Sequence, residues 1–324
     1  MSEDARWLAA AAAVAARARP LSRPNPAVGA LLVKDGLVIA RGWTQPGGRP
    51  HAEAAALRAA GKTARGATLY VTLEPCAHQS DRGPACADLI CRSGLARVVI
   101  GCMDPDPRTA GSGLERIRSA GIDAEYRPSV ACEASLSGYL AKKRLGRPEV
   151  TLKLAMSLDG CIALANGKSQ WITGPQARAH THAMRAKADA ILVGGGTLRA
   201  DSPRLDVRLP GLAERSPERW VLTGGQAPEG WRALPSPQAI AAMEGAQYLF
   251  VEGGAGTATA FLAAGLVDRL LIYRAPILIG GRPALGDFGL LSLSEAHGKW
   301  RMTERRQLGS DTLEVYEAIP CSLE

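Results

Sequence analysis

No apolar run in this 324-residue chain approaches the ~20 residues that a membrane-spanning helix needs, so a helical membrane protein is not expected. A disulfide framework is equally unsupported. The seven cysteines, at 76, 86, 91, 102, 132, 161 and 321, are an odd number spread unevenly through a long chain. That pattern points to a reducing compartment with a few special thiols, and so to a cytoplasmic location. Internal repeats are absent, and the Ala-rich run near the start is the one low-complexity tract. This run, WLAAAAAVAARARP, has the apolar centre of a secretory leader, but Glu3 and Asp4 stand where a leader carries positive charge. It reads more simply as a helix capped by Ser2, with acids in its first turn and Arg17 and Arg19 in its last. Acidic residues are in deficit, 31 against 39 Lys and Arg, and the imbalance is local. Residues 1–146 carry 20 basic and 13 acidic side chains, and residues 147–324 carry 19 and 18. The basic residues are scattered, with few aromatics among them. This favours a small phosphorylated molecule over nucleic acid as the anion handled by the first half.

What the chain has is enough apolar sequence, 46%, for two buried cores, and its length favours two domains. Residues 27–42 read as two strands around a Lys-Asp-Gly turn, and 52–61 as a helix ending at Gly61. Strands are then expected at 67–73, 96–102 and 122–127, with helices at 84–94 and 111–121. Strands alternating with helices imply an α/β sheet. The basic stretch SGYLAKKRLGRPEV at 137–150 contains Gly and Pro and is the best boundary, giving domains 1–146 and 147–324. Past it, strands are expected at 150–160, 189–197, 219–225, 247–254 and 268–281, with helices at 176–188 and 257–264. This is a second α/β domain.

The motif that carries chemistry is His51-Ala-Glu53, followed by Pro75-Cys76 and then Cys86. A histidine, two cysteines and an adjacent glutamate form the pattern of the zinc deaminases. Zinc takes imidazole and thiolate tetrahedrally, and a catalytic site keeps three protein ligands and one open position. His51, Cys76 and Cys86 supply the three, and the metal brings the pKa of a bound water toward ~7. Deamination also needs a group that takes a proton from water and delivers protons to a ring nitrogen and to the leaving amine. Glu53 suits that role. His51 and Glu53 are two apart, so they converge only at a helix N-terminus, where Pro50 fits. Cys76 and Cys86 are placed near helix starts too, so three helix beginnings are expected to meet. Cys91, Cys102, Cys132 and Cys161 read as core.

Nine residues separate the two cysteines, where the common deaminase signature has two. The insert carries His78 and Arg82, both able to reach a substrate. This spacing, together with RPNPAVGALLV (23–33), TLEPCAH (72–78) and GCMDPDPRTAGSG (101–113), resembles the bifunctional bacterial riboflavin-biosynthesis deaminase/reductases. So do LKLAMSLDGCIA (152–163), SQWITG (169–174), ILVGGGTLRADSPRLDVR (191–208) and LFVEGGAGTATAFLAAGLVDRL (249–270).

The resemblance covers nearly the whole chain. It implies a cytidine-deaminase-like α/β/α domain followed by a dihydrofolate-reductase-like α/β domain. The implied reactions are zinc-assisted hydrolysis of the 2-amino group of a diaminopyrimidinone carrying ribosylamine 5′-phosphate, then NADPH reduction of the ribosyl group to ribityl. By the same resemblance Asn25, His78 and Asp104 line the deaminase pocket. Read alone, Asn25 and Asp104 are as well explained as turn residues before proline. Ser169, Arg185, Leu205, Arg208 and Glu252 are implied for the reductase substrate. Ala155, Trp171, Thr197, Asp201 and the loop Gly254, Ala255, Gly256 and Thr257 are implied for NADPH. Lys153 and Asp159 are further candidates. The Gly-rich loop before a helix suits a phosphate, but it is not a dinucleotide fingerprint in a first βα unit.

Three features depart from the family pattern. Thr44 stands where many members have His, the 209–251 stretch is short, and RWVLTGG lacks an acidic residue after its strand. A homo-oligomer, dimer or higher, is expected, with no nucleic-acid or membrane partner. The competing readings are a nucleoside or tRNA deaminase with an appended domain, and a non-catalytic zinc-stabilised binding module. Glu53 opposes the latter, being surplus to a structural site.

Overall fold

A computed structural model of the chain describes residues 2–78 and 82–319, so Cys321 lies outside it. The chain forms two compact units, residues 1–146 and 147–324.

The first unit opens with helix α1, Glu3–Ala15, whose cap Ser2 accepts from the Ala5 N–H. It ends before Arg17, so its last turn holds no basic residue, contrary to the expectation. Strands β1 (Gly29–Lys34) and β2 (Leu37–Trp43) form an antiparallel hairpin. Asp35 and Gly36 both have positive φ, 50° and 73°, as the tightest hairpin turn requires. Next come α2 (Ala52–Ala60), β3 (Thr68–Val71), α3 (Cys86–Cys91), β4 (Arg97–Ile100), α4 (Ser112–Ser119) and β5 (Asp123–Tyr126). The sheet order is β2-β1-β3-β4-β5, with β3, β4 and β5 parallel. Glycines bring helices onto it. A Cβ on Gly29 would sit 2.1 Å from Ala11 O of α1, and one on Gly42 2.0 Å from Ala52 O of α2. Gly42 pairs with Ala30, the neighbour of Gly29. Adjacent strand residues face opposite ways, so α1 and α2 cover opposite faces.

Two further helices, α5 (Val130–Ser135) and α6 (Ser137–Leu145), complete the unit. The basic stretch read as the boundary is largely helical, and the chain leaves α6 through Gly146 at φ 71°.

The second unit contains β6 (Glu149–Met156), β7 (Cys161–Ala163), α7 (Pro175–Arg185), β8 (Ala190–Gly194) and α8 (Gly195–Asp201). It continues with β9 (Glu218–Leu222), β10 (Arg232–Leu234), β11 (Tyr248–Val251), α9 (Ala255–Ala263) and β12 (Arg269–Arg274). Last are β13 (Arg282–Pro283), β14 (Trp300–Leu308) and β15 (Asp311–Ala318). The strand expected at 189–197 stops at Gly194, where α8 begins. The strand expected at 268–281 stops at Arg274.

The main sheet runs β10-β9-β8-β11-β6-β12-β15-β14, parallel from β10 to β12 and antiparallel beyond. Successive residues of its central strands enter different cores. Leu192, Leu249 and Leu270 join one with Phe261 of α9, and Ile191, Phe250 and Leu271 join the other with Ala177 of α7. A parallel sheet buried on both faces is the expected result.

Candidate active sites

In the first unit His51 is the cap residue of α2 and Glu53 lies in its first turn. Cys76 sits in the segment after β3, and Cys86 is the first residue of α3. Two helix beginnings therefore meet here, not three, because Cys76 is on irregular chain. The His51 Nδ1 is 3.6 Å from Cys76 Sγ and 3.3 Å from Cys86 Sγ. All three donor atoms fall within 4.8 Å of one another. One imidazole nitrogen and two sulfurs at this separation fit a tetrahedral zinc with one position left over.

The Cys86 N–H donates to Cys76 Sγ at 3.3 Å. Hydrogen bonds from Cys86 and His51 outweigh burial and hold the Cys76 thiol well below its usual range, as a metal-binding thiolate requires. Burial depresses the His51 imidazolium, but contact with Cys76 and the charge of Glu53 outweigh it and raise His51 overall. Glu53 is 3% exposed, and burial chiefly, against the opposing charge of His51, lifts its carboxyl to about 7. A group poised near neutrality suits both taking and giving a proton.

Around this centre Asn25 Nδ2 lies 3.2 Å from His51 Nε2 and donates to Gly48 O at 2.9 Å. His78 Nδ1 lies 3.4 Å from Thr109 Oγ1. Asp104 is buried, and its Oδ1 accepts from Asp106 N and the Tyr139 hydroxyl. Thr44 is also buried, and its hydroxyl bridges Val28 N and Pro26 O. It braces the segment that follows Asn25.

Glu74 was absent from the sequence reading. It is buried two residues before Cys76 and accepts from four backbone N–H groups, those of Asp104, Gly111, Gly113 and Leu114. An acidic residue just before a predicted ligand was the available signal.

In the second unit a cavity of about 760 Å³ opens at the carboxyl ends of β6, β8 and β11, the place where parallel sheets hold ligands. All the reductase-half candidates except Asp159 line it. Ser169, Arg185, Leu205, Arg208 and Glu252 are there, with Ala155, Trp171, Thr197, Asp201, Gly254, Ala255, Gly256 and Thr257. Gly254 caps α9, and its N–H donates to Thr197 Oγ1 at 3.3 Å. Gly253 and Gly194 leave room for Thr257, whose side chain a Cβ on either would meet within 2.4 Å. Trp171 is 65% exposed, with the Arg178 guanidinium 4.8 Å from its ring centroid.

Arg185 does not offer a free fork. Its Nε and Nη2 donate to Glu252 at 2.6 and 3.0 Å, and its Nη1 donates to Asp206 O at 3.1 Å. Lys153 Nζ lies 3.8 Å from the same carboxylate. Burial lowers the Lys153 ammonium pKa, against the pull of Glu252. Burial alone raises Glu252, but Lys153 and Arg185 outweigh it and hold the carboxyl low. Asp159 lies outside the cavity lining and instead accepts from Ile279 N and Gly280 N. The cavity also takes in His182 and Arg282, which the sequence reading missed. His182 is three residues before Arg185 on α7, a spacing that shares a helix face.

These features define a two-site enzyme, with a deaminase-type metal centre in one α/β unit and a ligand-sized cleft at the strand ends of the other. The cytidine and deoxycytidylate deaminase zinc-binding region matches residues 1–102, and the RibD C-terminal domain matches 148–232 and 238–313. The riboflavin biosynthesis protein RibD of Escherichia coli is 38% identical over 95% of this chain and 98% of its own. That of Aquifex aeolicus is 35% identical over 95% and 96%. Acinetobacter baumannii RibD superposes with a TM-score of 0.85 at 32% identity, covering 98% of this chain and 99% of that one. A Thermotoga maritima diaminohydroxyphosphoribosylaminopyrimidine deaminase/5-amino-6-(5-phosphoribosylamino)uracil reductase gives 0.85 at 30%, with the same coverage. The chain belongs to the RibD family, the bifunctional deaminase/reductases of riboflavin biosynthesis. Among the described residues no helix is long and apolar enough to cross a membrane.

Proposed function

We propose that residues 1–146 deaminate 2,5-diamino-6-ribosylamino-4(3H)-pyrimidinone 5′-phosphate and that residues 147–324 then reduce its ribosyl group to ribityl with NADPH. The observation that carries the reading is the convergence of His51, Cys76 and Cys86 beside a buried Glu53. His51, Cys76 and Cys86 hold one zinc ion, which when bound supplies an activated water. Glu53 would take one proton from the attacking water and pass it to the ring nitrogen, then take the second from the hydroxyl left on the ring carbon and pass it to the amine, which departs as ammonia as the carbonyl forms. Its burial keeps bulk water from competing for the proton. Asn25, His78 and Asp104 orient the ring, with Asp104 accepting from substrate N–H groups.

In the second cleft NADPH supplies hydride, and the protein's part is to hold cofactor and substrate together. Backbone N–H groups at the start of α9 offer an anion site for the cofactor. Arg208 lines the cleft with 53% of its side chain exposed and its Nε 3.5 Å from Asp206 Oδ1, and we assign it to the substrate phosphate. Exposed Leu278, Leu291 and Leu293 support self-association of the second unit.

The test is Glu53→Gln in the full-length enzyme. Zinc content stays at one per chain, deamination falls by at least ~10²–10⁴-fold, and reduction of supplied deaminated substrate continues. Deamination near the parental rate would place the proton shuttle elsewhere, and a loss of both reactions would refute two independent sites.

A further inference from the structure

The last helix of the first unit reaches into the loop that carries Asp104. Tyr139 lies on α6, is buried, and donates from its hydroxyl to Asp104 Oδ1 at 2.7 Å. The Asp106 N–H donates to the same oxygen at 2.9 Å. Both hydrogen bonds of the Asp104 side chain thus fall on Oδ1, while the residue keeps 8% of its surface exposed. One turn along α6, Lys143 Nζ donates to Asp106 Oδ2 at 2.8 Å. From the other side Glu74 holds the same loop by the N–H groups of Asp104 and Gly111. Thr109, inside the loop, contacts His78. The loop between β4 and α4 is therefore clamped from two directions, and only the clamp from α6 touches the Asp104 side chain.

A buried carboxylate with one oxygen tied down has one oxygen to offer. An ionised carboxylate only accepts, so it selects N–H donors such as those of an aminopyrimidine edge. Without the Tyr139 hydroxyl, Oδ1 keeps a single local bond, and the carboxylate can rotate or take up a proton in its buried setting. Either change removes the acceptor.

We propose that Tyr139 is a positioning residue of the deaminase, holding Asp104 by Oδ1 so that Oδ2 is the oxygen presented to the pyrimidine. The inference rests on the reading of Asp104 as a substrate contact. The consequence is that the pocket wall is finished by the helix that leads out of the unit.

A double-mutant cycle in the full-length enzyme tests it, with Tyr139→Phe, Asp104→Ala and the pair. Tyr139→Phe should raise the KM for the phosphorylated pyrimidine roughly tenfold, the size of one bond to a charged group, with kcat changed less than about twofold. Zinc content should be unchanged. In the pair the two KM effects should not multiply, because Tyr139 acts through Asp104. If Asp104→Ala raises KM and Tyr139→Phe does not, or if the effects multiply, the positioning role is wrong. If Asp104→Ala leaves KM unchanged, the reading of Asp104 itself fails and the inference with it. Should Tyr139→Phe lose its fold, Lys143→Gln gives the second measurement. It loosens the same loop through Asp106, so a purely structural clamp predicts the larger effect on thermal stability and none on KM.

Discussion

The Glu252 side chain, 7% exposed, lies at the cavity wall with its oxygens shared between the Arg185 fork and the Lys153 ammonium. Such a group costs most when one partner is taken away, since a buried charge is then left uncompensated. Arg185→Ala should therefore destabilise the second unit by about 3–5 kcal/mol, read as a lower midpoint in thermal or urea unfolding. Arg208→Ala should leave the midpoint nearly unchanged and raise the KM of the reductase substrate, because its side chain is largely exposed and faces the cavity. An Arg185→Ala enzyme of parental stability with only a raised KM would give the phosphate role to Arg185. The motif matches placed Arg185 and Glu252 at one site, yet their pairing was not legible. They are 67 residues apart, and nothing in sequence spacing says that a guanidinium implied for a ligand spends its donors on a neighbouring carboxylate.

At the scale of elements, the legible parts were those with a period or a cap. The hairpin of β1 and β2 follows from Asp35-Gly36, and α2 from Pro50 just ahead of it and a stop at Gly61. Helix α8 was missed because it begins at Gly195-Gly196, residues that disfavour a helix interior. Strand β14 is exposed along most of both faces, so no period of two marks it, although Leu313 and Val315 of β15 do alternate inward. The start of α4 depends on a distant side chain. Glu74 accepts from Gly113 and Leu114 at 3.0 and 3.1 Å, and Gly113 admits this approach because any Cβ would sit 2.0 Å from Pro75 O. Glu74→Gln keeps one acceptor oxygen and turns the other into a donor, which opposes the N–H groups it faced. It should cost about 1.5–3 kcal/mol for each bond lost and slow deamination, because the same loop carries Asp104. Reduction of the deaminated substrate should proceed at the parental rate. A parallel fall in both activities would show that the damage is not local to α4.

For the whole molecule the question is whether two reactions need one folded body. Among the described residues one core cluster is built from residues 7–140 and two from residues 150–315. The junction is held separately on each side. Gly146 at positive φ terminates α6, and Arg147, the next residue, belongs to the second unit. Its Nη1 and Nη2 donate to Asp268 at 2.7 and 2.8 Å. Asp268 in turn accepts from Val150 N at 2.7 Å, which fixes the start of β6 beside β12. Cutting between Gly146 and Arg147 should therefore give two folded pieces, the first binding zinc and deaminating, the second reducing supplied substrate. Starting the second piece at Glu149 removes Arg147 and leaves Asp268 with the Val150 N–H alone. Two charge-assisted bonds of this kind are worth about 1.5–3 kcal/mol each before entropy is counted. The shorter piece should therefore melt several degrees below the longer one. Circular dichroism on the two pieces gives the comparison directly. Equal melting temperatures would show that the Arg147 pair contributes nothing to the second unit, and a piece starting at Arg147 that fails to fold would show that the two cores depend on each other.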